Sequence, residues 1–281
     1  MKKLDLKYKF EDFIYFLYNI QKSIKYSLSN NPARYTNKNI SLKGKHSGKR
    51  CFVIGNGPSI GAQPLERLGH EHTFVCNYFY KHPKIAAINP NYYFIVDDKI
   101  RTGEWPISML DDIEDRCPDA KIFLSSGPGH HPKVMEIEAR RGLNWITGGK
   151  LIYPGFRYPI DLTRPIGGDN VVKIALQAAI YMGFTEIYIL GVDGDGLFRD
   201  LLGQSSHFYQ AEAENAAMDP RRMELDLWFC TEGFRSWRAI AERFADGPVR
   251  IYNATPGGLL NVFPRRSLEA VLAQTEPRPA P

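Results

Sequence analysis

The residues best suited to chemistry stand between residues 191 and 209. Asp193 and Asp195 lie two positions apart, directly after a predicted strand. Together they could hold Mg²⁺, which takes one or two carboxylates plus phosphate and water, and one of them alone could orient a substrate hydroxyl. His207 has a near-neutral pKa that suits general-base work on a hydroxyl. The non-functional alternatives are that Asp193 and Asp195 belong to a solvated turn and that His207 is only a surface residue.

A glycine-rich turn follows the first strongly apolar run of the chain. Residues 51–54 are apolar throughout, as in a strand that is buried on both faces, and Gly55-Asn56-Gly57-Pro58-Ser59 follows. The glycines allow close approach of the backbone to a ligand, and Ser59 could cap a helix whose amides hold phosphate. A turn without ligand is the alternative. No Gly-Lys-Ser/Thr follows and Ile60 replaces the third glycine, so neither P-loop ATP nor NAD binding is supported.

Short apolar runs alternate with helical patterns through most of the chain. Strands are predicted at 51–54, 73–76, 92–96, 121–124, 186–190 and 249–252, with helices at about 107–117, 132–141, 169–182 and 221–245. This alternation predicts a doubly wound, mostly parallel Rossmann-like α/β sheet. The apolar helix 169–182 is expected to be a buried central crossover. Residues 194–220 have weak periodicity and are expected to form a lid.

Polar residues follow nearly every predicted strand. In open α/β sheets ligands bind beyond the carboxyl ends of the strands, so these residues are expected to form one nucleotide-sized site. The nucleotide-binding candidates are Gly55, Asn56, Gly57, Pro58, Ser59, Asn77, Asp97, Asp98, Ser125, Asn253 and Thr255. The loop Gly167-Gly168-Asp169-Asn170 opens a helix and is a second candidate anion site, with a structural cap by Asp169 or Asn170 as the alternative.

The positive charge of the chain is concentrated at its N-terminus. The formal net charge is +5, with a net of +9 in residues 1–50 and −4 in the remainder. Residues 4–29 have apolar side chains at helical spacing with lysines around them, which favours contact of residues 1–29 with an anionic membrane or docking on the body or on a second copy. Residues 1–47 are expected to form this arm and a linker, 48–272 the catalytic domain and 273–281 a disordered tail.

Four dispersed cysteines and the absence of a signal segment or a long apolar stretch predict a cytoplasmic protein, peripheral at the inner membrane if the arm binds there. No nucleic-acid partner is expected. The aromatic arm could also mediate a homo-oligomer.

Five motifs occur in a recognisable order. They are residues 55–59, 76–80, 183–193, 206–209 and the run Asn253-Ala254-Thr255-Pro256-Gly257-Gly258-Leu259-Leu260. This set, over about residues 50 to 263, resembles the bacterial sialyltransferases of glycosyltransferase family 42. It equally resembles the MptE-like group, named for an archaeal 6-hydroxymethylpterin diphosphokinase.

The sialyltransferase resemblance implies roles for particular residues. Asn56 and Asn77 would contact the CMP part of a donor, with Asp97 or Asp98 at the third strand end, and Gly167 and Gly168 match the family's loop near the donor. His207 lies in the segment of the catalytic histidine and would take the acceptor proton. In the glycosyltransferase hypothesis itself, and not from the family pattern, Tyr209 would stabilise the leaving phosphate.

Two positions depart from the family pattern. Ala211 stands where the family has its base, and Asp195 stands where a tyrosine assists the leaving group. These departures keep two alternatives open: a Mg²⁺-dependent diphosphokinase that uses Asp193 and Asp195, and a non-catalytic nucleotide-binding protein.

The main expectation is a glycosyltransferase that needs no cofactor. It would transfer an acidic, sialic-acid-like sugar from a CMP-sugar donor to a cell-surface glycan or glycolipid acceptor.

Overall fold

The computed structural model describes residues 2–29, 35–126, 131–209 and 220–274. Within them, seven strands form one sheet in the order β5-β4-β3-β2-β1-β6-β7, and every neighbouring pair is parallel. The strands are β1 Arg50–Ile54, β2 Thr73–Cys76, β3 Tyr92–Ile95, β4 Lys121–Ser125, β5 Asn144–Ile146, β6 Glu186–Leu190 and β7 Arg250–Asn253. The predicted doubly wound α/β fold is therefore confirmed.

Helices cover both faces of this sheet. They are α1 Lys2–Leu28, α2 Ile85–Ile88, α3 Lys99–Thr102, α4 Met109–Arg116, α5 Pro132–Arg141, α6 Val171–Tyr181, α7 Gly196–Leu201, α8 Pro220–Phe244 and α9 Leu268–Ala273. Helix α6 is buried almost completely and packs against β1, β2 and β3, as its apolar sequence predicts. This helix carries the chain from the edge of the sheet at β5 back past β1, so that β6 pairs with β1 on its free side. The order of strands reverses there, and in open α/β sheets ligands bind beyond the carboxyl ends of the strands at such a point.

Two details of the sequence prediction are corrected by the structure. Strand β5 was not predicted, because its three residues are too few to show a pattern. No capped α-helix begins at Ser59, because residues 58–62 form a short 3-10 helix that begins after Gly57, and its cap makes no side-chain hydrogen bond. Pro64 soon interrupts the chain, so a longer helix cannot form there.

The segment expected as a linker packs into the body. Asn39 is fully buried, and its amide donates to the carbonyl oxygens of Trp145 and Leu162 at 2.8 and 2.9 Å. His46 is also buried, with Nε2 2.6 Å from the hydroxyl of Tyr92. The ordered body therefore begins before residue 47.

The N-terminal helix α1 docks on the body through polar contacts. Asn19 donates to the carbonyl oxygen of Leu151 and accepts from its amide, at 2.9 and 2.8 Å. Arg235 of α8 forms ion pairs with Glu11 and Asp12 at 3.2 and 2.8 Å. In the described parts of the chain, none of the helices combines the length and the apolar character needed to cross a bilayer.

The buried His46 predicts a loss of stability in mild acid. Burial, followed by repulsion from His72, lowers the pKa of His46 to about 4, whereas an unfolded histidine titrates near 6.5. Between these values the unfolded chain binds a proton that the folded chain does not, so the free energy of unfolding falls as the pH drops, by at most about 1.4 kcal/mol per pH unit.

Urea unfolding at about pH 7 and about pH 5 measures this loss. His46→Gln is expected to show a smaller difference between the two pH values, while His70→Gln at an exposed position keeps the full difference. Equal losses in the wild type and in His46→Gln would contradict the assignment.

Candidate active site

The loops after β1 and β6 pack directly against each other at the switch point. The amide of Gly55 donates to the carbonyl oxygen of Leu190 at 2.8 Å, and the amide of Gly57 donates to that of Gly191 at 2.9 Å. A Cβ on Gly55 would lie 2.5 Å from the carbonyl oxygen of Gly191. These glycines thus permit close packing of two loops. Their amides are already used, which argues against the predicted phosphate cradle at these two positions.

Asn56 is fixed between β1 and β2 with part of its side chain unpaired. It is 8% exposed, and its Nδ2 donates to the carbonyl oxygen of Cys76 at 3.1 Å. Its backbone carbonyl accepts from the amide of Phe208 at 3.0 Å. Its Oδ1 is buried and has no hydrogen-bond partner among the described residues.

Asn77, at the end of β2, shows the same pattern. Its backbone has φ +51°, a left-handed conformation that asparagine tolerates better than most residues. The hydroxyl of Tyr93 donates to its carbonyl at 2.6 Å, and its Nδ2 donates to Asp97 at 3.2 Å. Burial raises the pKa of Asp97, and the bond from Asn77 opposes this rise. The Oδ1 of Asn77 is buried and, within the described ranges, also without a partner.

Buried polar atoms usually have hydrogen-bond partners. The amide oxygens of Asn56 and Asn77 lack one at neighbouring strand ends, as do those of Gln63 and Gln177 elsewhere in the described residues. Each of the two asparagine oxygens would gain a bond from a ligand that carries N–H or O–H groups. The exocyclic amine of a nucleotide base and the hydroxyls of its ribose are such donors.

The two aspartates after β6 are each engaged within the protein. Asp193 is buried and accepts from the hydroxyl of Ser59 at 3.0 Å; burial raises its pKa, and the bond from Ser59 opposes the rise. Asp195 pairs with Arg199 of α7 at 2.8 Å, while its Oδ1 is buried and unpaired within the described ranges. In the part of the chain that the structure describes, no group of three or more His, Cys, Asp or Glu could hold a metal ion.

Residues 206–209 are anchored on the strand ends. Besides the bond from Phe208 to Asn56, the ring of Phe208 packs edge-on against Phe79, at 5.9 Å between centroids. The ring of Tyr209 lies 5.3 Å from that of Tyr78. The sequence-predicted His207 and Tyr209 are therefore brought to the same edge as Asn56 and Asn77. The rest of the predicted lid from residue 210 to 219, including Ala211, lies outside the described residues.

His207 is half-buried and beside a hydroxyl. Its Nδ1 lies 3.0 Å from the Oγ of Ser206, and burial lowers its pKa, opposed by Asp200. Burial also raises the pKa of Tyr209 well above that of a free phenol. At neutral pH the imidazole is thus available as a proton acceptor and the phenol as a hydrogen-bond donor.

The loop before α6 has structural contacts. Asn170 caps α6 by accepting from the amide of Lys173 at 3.0 Å, and Asp169 pairs with the buried ammonium of Lys173 at 2.6 Å. A Cβ on Gly167 would lie 2.0 Å from the hydroxyl of Tyr158, and one on Gly168 2.8 Å from the side chain of Ile174. These contacts account for the loop without an anion, and nucleotide binding by its residues stays a prediction.

The remaining predicted residues fall into three groups. Asn253 and Thr255 are buried. Asn253 donates to the carbonyl oxygen of Leu260 in its own loop at 2.7 Å, and the hydroxyl of Thr255 accepts from the amide of Val192, in the loop after β6, at 3.2 Å. Asp98 faces solvent and pairs with Arg101 at 2.8 Å. Ser125 lines a shallow depression that Asp97, Asp98 and His131 share.

Sequence reasoning missed an aromatic and cationic patch beside the asparagines. The ammonium of Lys81 lies 4.5 Å from the centroid of the ring of Tyr78 and 5.7 Å from that of Tyr209. Trp105 packs edge-on against Tyr78, at 5.1 Å between centroids. The only signal in the sequence was the position of Lys81 directly after the motif 76–80.

Gly57 has too little space for any side chain. A Cβ there would lie 1.8 Å from Oδ2 of Asp193 and 2.8 Å from the carbonyl oxygen of Gly191. Gly57→Ala is expected to lower the free energy of unfolding by about 1–2 kcal/mol, as overpacking does. Gly61 in the same 3-10 helix has no atom within 4 Å of such a Cβ and provides the control. Denaturant unfolding that finds both variants equally stable would contradict this interpretation.

No protein-family model matches the sequence, and no curated protein matches it. Solved structures of bacterial sialyltransferases are similar to it. The monofunctional α-2,3-sialyltransferase Cst-I from Campylobacter jejuni is 15% identical with a TM-score of 0.44, over 82% of this chain and 83% of that one. CstII from the same organism, in complex with the substrate analogue CMP-3FNeuAc, is 14% identical with a TM-score of 0.39, over 77% and 84%. A CST-II variant in complex with CMP is 15% identical with a TM-score of 0.42, over 77% and 85%.

Proposed function

We propose that this chain is a glycosyltransferase that transfers an acidic, sialic-acid-like sugar from a CMP-activated donor to a cell-surface glycan or glycolipid. The observation that carries the proposal is the pair of buried, unpaired oxygens on Asn56 and Asn77 beside the switch point. The ordered motifs that resemble the bacterial sialyltransferases select the kind of nucleotide and sugar.

The nucleotide accounts for the asparagines. The exocyclic amine of cytosine carries two N–H donors and the ribose carries hydroxyl donors, so a cytidine nucleotide offers a bond to each unpaired oxygen. The phosphate would lie toward residues 206–209, because the amide of Phe208 already ties this segment to Asn56.

His207 would act as the general base. The mechanism uses the tautomer of His207 in which Nδ1 carries the proton and donates to the Oγ of Ser206, 3.0 Å away. The lone pair of Nε2 then takes the proton of the acceptor hydroxyl while that oxygen attacks the anomeric carbon. The bond between the anomeric carbon and the phosphate oxygen breaks, and its electron pair leaves with CMP. Tyr209 donates a hydrogen bond to this phosphate, and its raised pKa keeps the phenol protonated.

A Mg²⁺-dependent diphosphokinase has less support. Asp193 already accepts from Ser59, and Asp195 already pairs with Arg199. A metal would have to displace or share these partners. Loss of ATP consumption in Asp195→Ala would identify that activity.

The proposal is tested by incubating the protein with CMP-activated sialic acid and measuring the release of CMP. Slow hydrolysis of the donor is expected without an acceptor, and faster release with a suitable glycan. ATP with Mg²⁺ serves as the comparison. If the protein neither binds nor hydrolyses any CMP-sugar, the proposal is refuted.

A further inference from the structure

Helix α1 has two different faces, and only one of them contacts the body. The docked face carries Glu11, Asp12, Tyr15, Asn19 and Tyr26, all of which contact residues far along the chain. The exposed apolar residues of the predicted stripe are Leu6, Phe10, Phe13, Leu17, Ile20, Ile24 and Leu28. We call this set the apolar stripe.

The apolar stripe lies opposite the docked face. At about 3.6 residues per turn, its seven members fall within one face of the helix, about half a turn from Tyr15, Asn19 and Tyr26. The side chains of Leu6, Phe10 and Phe13 are 71%, 65% and 56% exposed. Docking has therefore oriented the helix with its apolar side away from the body, and an exposed apolar patch of this kind marks an interaction site.

The charges beside the apolar stripe indicate what it binds. Exposed Lys7 and Lys25 fall along one edge of the stripe and exposed Lys9 along the other. The acidic Glu11 and Asp12 pair with Arg235 on the docked face. Glu11 also lies 3.6 Å from the ammonium of Lys7, an exposed pair of the kind that contributes little. An apolar face between lysines is the pattern of a helix that lies in the interface of an anionic bilayer.

A second copy of the chain fits this surface less well. Two stripes packed face to face would bring the lysine edges of both helices together, and like charges repel. The phosphate groups of anionic lipids would instead pair with these lysines while the acyl chains take up the apolar side chains.

We propose that α1 is a peripheral membrane-binding element, which inserts its apolar stripe into the interface of an anionic phospholipid bilayer while its polar face holds the body at the surface. The inference is independent of the proposed enzymatic function. It depends on the orientation of α1, which the contacts of Asn19 and Arg235 fix.

Co-sedimentation of the full chain with lipid vesicles tests the proposal. Vesicles of phosphatidylcholine with phosphatidylglycerol are expected to bind the protein, and vesicles of phosphatidylcholine alone to bind it more weakly. The double variant Phe10→Ser/Leu17→Ser is expected to lose about tenfold or more of its affinity, because binding scales with the apolar area that is buried. Lys7→Gln/Lys25→Gln is expected to lose the preference for anionic vesicles.

A matched control removes an apolar side chain elsewhere on the surface. Ile40 is 68% exposed and lies outside α1, so Ile40→Ser is expected to bind vesicles like the wild type. Circular dichroism and melting temperature check that each variant is folded. Absence of binding to anionic vesicles, or equal binding by Phe10→Ser/Leu17→Ser, would overturn the proposal. Self-association in sedimentation velocity that this variant abolishes, without vesicle binding, would assign the stripe to a second copy instead.

Discussion

His207→Ala is expected to lower kcat for sugar transfer by about a hundredfold to ten-thousandfold, the usual contribution of a general base. The KM for the donor should change little, because the proposed nucleotide contacts belong to Asn56 and Asn77. Steady-state rates at saturating acceptor, measured by CMP release, provide both constants.

The pH profile separates a base from a structural residue. Burial lowers the pKa of His207, so its imidazole stays unprotonated to a lower pH than that of a free histidine. The acidic limb of kcat/KM should therefore lie below about pH 6.5. This limb should be absent in His207→Ala. His70→Ala, at an exposed position outside the proposed site, is the control and should keep the wild-type rate and profile. If His207→Ala is fully active, His207 is not the general base.

Asn56→Ala is expected to weaken CMP binding by about tenfold to a hundredfold. The variant removes the amide oxygen to which the nucleotide would donate, and a polar group left without a partner on binding costs about 1–3 kcal/mol. Stability should fall by only about 1 kcal/mol, through loss of the bond to the carbonyl oxygen of Cys76. Titration calorimetry gives the affinity, and urea unfolding gives the stability.

Gln63→Ala provides the matched control for Asn56→Ala. Gln63 is also a buried amide, its Nε2 donates to the carbonyl oxygen of Ala254 at 3.1 Å, and its Oε1 is unpaired within the described ranges. Its loss should lower stability similarly and leave CMP affinity unchanged. If both variants weaken binding equally, Asn56 acts through stability and not through contact.

The elements of the sheet could be predicted because their pattern is local. The continuous apolar runs at 51–54 and 186–190 become β1 and β6, buried on both faces, and the apolar residues of α6 cover β1 to β3. That the polar residues after the strands lie near each other could also be predicted, since parallel strands bring their carboxyl ends to one edge of the sheet. The gathering of Asn56, Asn77 and Asp97 at this edge follows from the same rule.

The use of individual polar groups could not be predicted, because their partners are remote in the chain. Ser59 resembles a helix cap in the sequence, but its hydroxyl reaches Asp193 across 134 positions. Asn253 resembles a rim residue, but its side chain closes its own loop. The sequence also could not show which face of α1 contacts the body, because periodicity identifies an apolar side of a helix but not what covers it.

A thermal-shift screen of CMP, CDP, UDP and ATP, each with and without Mg²⁺, tests the central claim most directly, because a ligand that binds only the folded chain raises its melting temperature. The account predicts that CMP raises the melting temperature of the wild type without Mg²⁺ and raises that of Asn56→Ala much less. A rise only with ATP and Mg²⁺, or no rise with any of these nucleotides, would contradict it.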